Sequence, residues 1–98
     1  MRAEYDSQAD ALSIDLINVE RWDGSDAVDD DYCTVALAGK RPANIELIGP
    51  AEHLGLLAVA AKRHQLDAEA LQAAARSALA APDRVVVLTT RSSRPSRG

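Results

Sequence analysis

The stretch Tyr5-Asp6-Ser7-Gln8-Ala9-Asp10-Ala11-Leu12-Ser13-Ile14-Asp15-Leu16 decides the fold. Leu12, Ile14 and Leu16 stand on alternate positions, which puts three large aliphatic side chains on one face of a β-strand. Asp6 and Asp10 frame a short loop before it, so Tyr5 and Leu12 face each other across a hairpin of residues 2–5 and 11–17. Aspartates in such loops hydrogen-bond nearby backbone N–H groups, and both are read as turn formers. The competing reading of the two carboxylates is a metal or acid/base pair.

Working outward, residues 18–31 are a polar loop holding Asp23, Asp26, Asp29, Asp30 and Asp31, with a short strand near Ala27-Val28 and a single Trp22 among the charges. A calcium loop needs regular ligand spacing, a glycine at its sixth position and a closing glutamate. Here Gly24 directly follows Asp23 and no glutamate follows these aspartates until Glu46, so the loop reads as solvated. Residues 32–38 alternate again, with Cys33, Val35 and Leu37 on one face. Gly39-Lys40-Arg41-Pro42 turns the chain into a strand at 43–48, with Ile45 and Leu47 inward and Asn44 and Glu46 outward. Cys33 on an apolar face reads as a small hydrophobe, because the sequence places no base or cation beside it to make a thiolate.

Gly49-Pro50 ends the strand pattern, and proline suits the first turn of a helix, where its missing N–H is not needed. Leu54, Leu57, Ala58 and Ala61 carry that helix to about His64. Asp67 caps a second helix, with Leu66 before the cap and Leu71 after it as a hydrophobic staple. Leu71, Ala74, Ala75, Ala78 and Leu79 make a narrow stripe that permits close packing, and Pro82 ends the helix. Residues 84–90, centred on Val85-Val86-Val87-Leu88, are apolar on both faces, which predicts a strand buried on both sides or inserted into a neighbouring subunit. Residues 91–98 read as a disordered basic tail with Arg91, Arg94 and Arg97. The fold class is α+β: a mainly antiparallel sheet, made of the hairpin and two further strands, then two helices and a C-terminal strand, in one domain over residues 1–90.

The 98 residues are 47 % hydrophobic, yet contain no Phe and one Trp, so the core must come from Leu, Ile, Val and Ala. Such a core favours dimerisation as a means of burying more apolar surface. The net charge of −4 is unevenly spread: residues 1–50 carry eleven acids against four bases, residues 51–98 four acids against seven bases. An acidic half does not suit a phosphate backbone and does suit a basic protein. A lone cysteine and the lack of an apolar run of about 20 residues predict a cytoplasmic protein with no membrane partner.

Tyr5-Asp6, Ala9-Asp10-Ala11-Leu12, Ile14 and Leu16 resemble the opening of a small bacterial family catalogued as a domain of unknown function, number twenty-two eighty-three. The block Asn44-Ile45-Glu46-Leu47-Ile48 is similar to the strand that ends that family's second block. The resemblance covers about residues 1–55. It implies a four-stranded antiparallel sheet, no activity, and an antitoxin-like partner role beside a toxin-like neighbour. Residues 56–98 extend beyond that common part. Where the family often has an Asp-x-Asp, this chain has Val35-Ala36-Leu37-Ala38, and its glycine before Ile45 is Asn44.

The function read from the sequence is a non-enzymatic, homodimeric protein-interaction module. One alternative is a ribbon-helix-helix-like DNA-binding regulator, because residues 45–80 run strand, helix, capped turn, helix. Against it, Glu46 lies mid-strand, and Asp67 and Glu69 occupy the helix start where a phosphate would need a cation or a free N–H. A second alternative is a small enzyme, for which His53, His64, Asp6, Asp10 and Glu46 are the available catalysts. The two histidines fall about three turns apart on one helix, too far to share a metal within a subunit. The sequence therefore assigns no catalytic, cofactor-binding or metal-ligating residue.

Overall fold

The computed structural model describes residues 1–88. Its elements are β1 (Arg2–Asp6), β2 (Ala11–Asp15), β3 (Gly24–Asp29), β4 (Cys33–Ala38), β5 (Arg41–Ile48), α1 (Pro50–His53), α2 (Gly55–His64), α3 (Ala68–Ala80) and β6 (Val85–Val87). The six strands form one sheet in the order β3-β4-β5-β2-β1-β6, and every neighbouring pair is antiparallel.

Strand register converts the alternation of the sequence into rows of side chains across the sheet. Tyr5 stands opposite Leu12, as the hairpin reading requires, and the row continues through Leu47 and Cys33. A second row runs Val86, Ala3, Ile14, Ile45, Val35, Asp26. Leu12, Ile14, Ile45, Leu47 and Val35 are fully buried, together with Leu57 of α2 and Ala74, Ala75 and Ala78 of α3. The helices therefore cover this face alone. α3 lies against β1, β2 and β6, and α2 reaches the β3 end. Small residues along α3 bring its axis close to the sheet, so a core without phenylalanine still closes.

The other face is open and polar. Its rows run Val85-Glu4-Ser13-Glu46-Thr34-Ala27 and Val87-Arg2-Asp15-Asn44-Ala36-Ser25. Asn44 is 4 % exposed; its amide donates to Ser13 Oγ at 2.8 Å and Asp15 Oδ1 at 2.7 Å. Satisfying both donors is what lets that amide stay buried.

The structure corrects the sequence reading at four places. The polar segment 18–31 contains a six-residue strand, β3, rather than a loop with a strand near Ala27-Val28 alone. An edge strand needs only one paired side and tolerates charge on the other. The helix expected over 50–64 is divided at Leu54. There the Leu54 carbonyl accepts Leu57 N at 3.0 Å and the Gln72 amide at 2.9 Å, and Gly55 is a poor helix former. The turn at 39–42 is shorter, since Arg41 and Pro42 belong to β5. Pro42 falls beside a register shift and beyond the end of β2, so its missing N–H breaks no ladder. Finally, β6 is not buried on both sides within the chain: Val85 is 54 % and Val87 71 % exposed. Residues 89–90 of that expected strand, and the tail 91–98, lie outside the described residues.

Candidate functional site

The carboxylates singled out by the sequence go first to the backbone. Asp6 Oδ1 accepts the N–H groups of Gln8 at 3.0 Å and Ala9 at 3.2 Å. Asp29 closes the β3–β4 turn in the same way through Asp31 N at 2.9 Å and Tyr32 N at 3.0 Å. Asp23 accepts Gly39 N at 2.9 Å. Asp10 differs from the expectation: its backbone has φ 53°, and its carboxylate accepts the Tyr5 phenol at 2.6 Å instead of a backbone N–H. That bond, followed by desolvation and the negative charge of Asp10, Asp83 and Asp6, raises the phenol pKa above its ordinary value.

Two partnerships went unread in the sequence. Asp83 reaches back across the sheet end and accepts Ser7 N at 2.9 Å and Ser7 Oγ at 2.7 Å. These bonds lower its pKa. Asp26 ends the buried row of β3 and meets the last turn of α2. Arg63 Nη1 lies 3.0 and 3.1 Å from its two oxygens, and His64 Nε2 lies 2.8 Å from Oδ2. The hydrogen bonds from Arg63 and then His64 hold the Asp26 carboxyl below its usual range. His64, named above among the available catalysts, is thus half of a clip joining α2 to β3. The sequence signal available was the Lys62-Arg63-His64 run at a helix terminus, which complements the helix dipole. It does not say which acid it meets.

His53 and His64 are not brought together. His53 Nδ1 lies 3.1 Å from the Ile48 carbonyl and 2.9 Å from the Gly49 carbonyl, so Nδ1 carries the proton and donates. Its ring stacks on Tyr32 with centroids 3.9 Å apart. Cys33 is buried, and desolvation, with smaller contributions from Asp29 and Asp26, pushes its thiol up to about 11. At neutral pH it is a thiol and a poor nucleophile. Glu46 stands on the open face in a hollow of about 300 Å³ lined also by Glu4, Asp6, Ala11 and Ser13. Among the described residues, no group of three or more His, Cys, Asp or Glu side chains is placed to hold a metal ion. Of the five candidate catalysts, Asp6 and Glu46 line that one hollow, while His53 and His64 serve different junctions.

The two sheet edges differ in charge and regularity. β3 carries Asp26 and Asp29, and its pairing with β4 slips between Ala27 and Asp29. Charge and a bulge are devices that keep an edge from pairing further. β6 is three valines with no charge. The pair between Met1 and Leu88, bonded at 2.8 and 3.3 Å, sets the ladder alternation. Val86 is bonded toward β1, and the N–H and C=O groups of Val85 and Val87 point outward. The strand of the ribbon-helix-helix alternative, β5, has no such freedom. It is paired with β2 on one side and β4 on the other, so its backbone cannot form a ribbon with a second copy.

No helix among the described residues is long and apolar enough to cross a membrane. Compared with protein-family models, curated proteins and solved structures, the chain matches none of them.

Proposed function

We propose that the chain is a non-enzymatic protein-interaction module that acts as a homodimer. One observation carries the reading: the valine edge of β6, with Val87 71 % exposed and its outer ladder groups unpaired among the described residues. Exposed strand edges of this kind recruit another chain by backbone pairing. The polar side chains support the same view, because the bonds of Asp6, Asp10, Asp26, Asp83, His53 and His64 close turns and join elements.

The likeness of residues 1–55 to the bacterial family named above fits a small partner protein, and its antitoxin-like role is part of this proposal. The carboxylates of Glu4 and Glu46 on the open face suit a basic protein as a further partner. A reducing cytoplasm suits a chain whose one cysteine is buried and protonated.

Light scattering coupled to size exclusion tests the homodimer. The expected molar mass is twice that of the chain across micromolar concentrations. A mass equal to one chain throughout that range removes the dimer from the reading.

A further inference from the structure

We infer that β6 pairs with β6 of a second copy about a two-fold axis through Val86, which joins two six-stranded sheets into one. The inference rests on the homodimer reading and names the surface, the partner and the register.

Val85 and Val87 are the residues whose backbone groups face outward. In an antiparallel pair, outward groups of one strand must meet outward groups of the other. Three symmetric registers satisfy this, centred on Val85, Val86 or Val87. The open face separates them by charge. β1 places Glu4 beside Val85 and Arg2 beside Val87. Centring on Val85 continues the row as Glu4, Val85, the partner's Val85, the partner's Glu4, with like charges at both ends. Centring on Val87 does the same with two arginines, each also lying 3.4 Å from its own Asp15. Centring on Val86 gives Arg2, Val87, the partner's Val85, the partner's Glu4, and its symmetric counterpart. Only this register flanks each valine pair with opposite charges.

The opposite side agrees. Val86 continues the buried row of Ala3, Ile14, Ile45 and Val35, so a Val86 pair extends that apolar layer across the axis. α3 packs against β6, and the two α3 helices would flank the pair. β3 cannot serve in place of β6, because its carboxylates would face those of the second copy. A head-to-tail contact of β6 with β3 would leave free edges at both ends and grow without closing, whereas the two-fold contact uses each β6 once.

The test is cross-linking of Val86→Cys in a Cys33→Ala background. A non-hydrogen-bonded antiparallel pair holds its Cα atoms about 4.5 Å apart, within the range a disulfide spans. Mild oxidation is expected to give a covalent dimer from Val86→Cys and little from Val85→Cys or Val87→Cys, whose like residues stand diagonally. On the unmodified chain, Val85 and Val87 amides should exchange with solvent at least about tenfold more slowly at high protein concentration than at dilution. A two-chain mass with no Val86→Cys cross-link and fast Val85 and Val87 exchange would overturn the β6 contact and leave the homodimer standing. A one-chain mass at every concentration would remove both. A melting curve for each reduced variant, matching the parent's, shows that the strand still forms, and the exchange result on the native chain decides the matter if it does not.

Discussion

Asp10 holds the first hairpin in two ways: its backbone adopts φ 53° and its side chain takes the Tyr5 phenol. A left-handed residue with a Cβ carries about 1 kcal/mol of strain that glycine avoids. Asp10→Ala should therefore be less stable than Asp10→Gly by about 1 kcal/mol in urea unfolding, although both lose the same hydrogen bond. Equal stability would mean that the turn relaxes. Charge at this scale sets the pH response. Asp26 and Asp83 have folded pKa values below the ordinary 3.8, so their contribution is full above that value and is lost as pH falls through the folded pKa. Tyr5 is raised above the ordinary 10.0, so its contribution is full below that value and is lost as pH rises through the folded pKa. Acid unfolding should flatten in Asp26→Asn and alkaline unfolding in Tyr5→Phe, both read by circular dichroism. Asp6 was legible in the sequence because its partners are two and three residues away. Asp26 and Asp83 were not, because Arg63 lies 37 positions from one and Ser7 lies 76 from the other.

Among the elements, α3 was the plainest to read. Asp67 accepts Ala70 N at 3.1 Å as its cap, and Leu71, Ala74, Ala75 and Ala78 are the buried stripe. Asp67→Ala should cost about 1 kcal/mol. Ala75→Leu should cost about 1–3 kcal/mol, since the site has no room for three more carbons without moving the helix off the sheet. Thermal melts of the two variants check both values, and a neutral Ala75→Leu would mean that α3 packs loosely. β3 was harder to read, because its buried partners belong to β4 and α2 while its own residues are mostly polar. The valines of β6 were read as apolar on both faces, which they are. What the sequence could not convey is that β6 lies at an edge, since that depends on its pairing with β1, far away in sequence. Gly49 links the layers: at φ 57° its missing Cβ would come 3.1 Å from His53 Nδ1. Gly49→Ala should therefore destabilise the β5–α1 junction by more than the bare left-handed cost of about 1–2 kcal/mol, and a smaller loss would mean that His53 swings clear.

At the scale of the molecule, one helical layer and one sheet leave two unlike surfaces exposed, a polar open face and an uncharged edge. The α+β class and the antiparallel hairpin were legible because alternation and turn chemistry are local. The place of six strands in one sheet was not, since β6 returns to β1 across nearly the whole chain. The candidate site shares that cause: the sequence showed a valine run suited to a neighbour, and among the described residues the fold places it at the sheet edge with its outer side unpaired. The central claim is association through that edge. Sedimentation equilibrium of the parent chain beside Val87→Lys, which places a charge on the edge while leaving the buried rows intact, tests it most directly. Two-chain mass for the parent and one-chain mass for Val87→Lys is the expected result; two-chain mass for both, or one-chain mass for the parent, would contradict it.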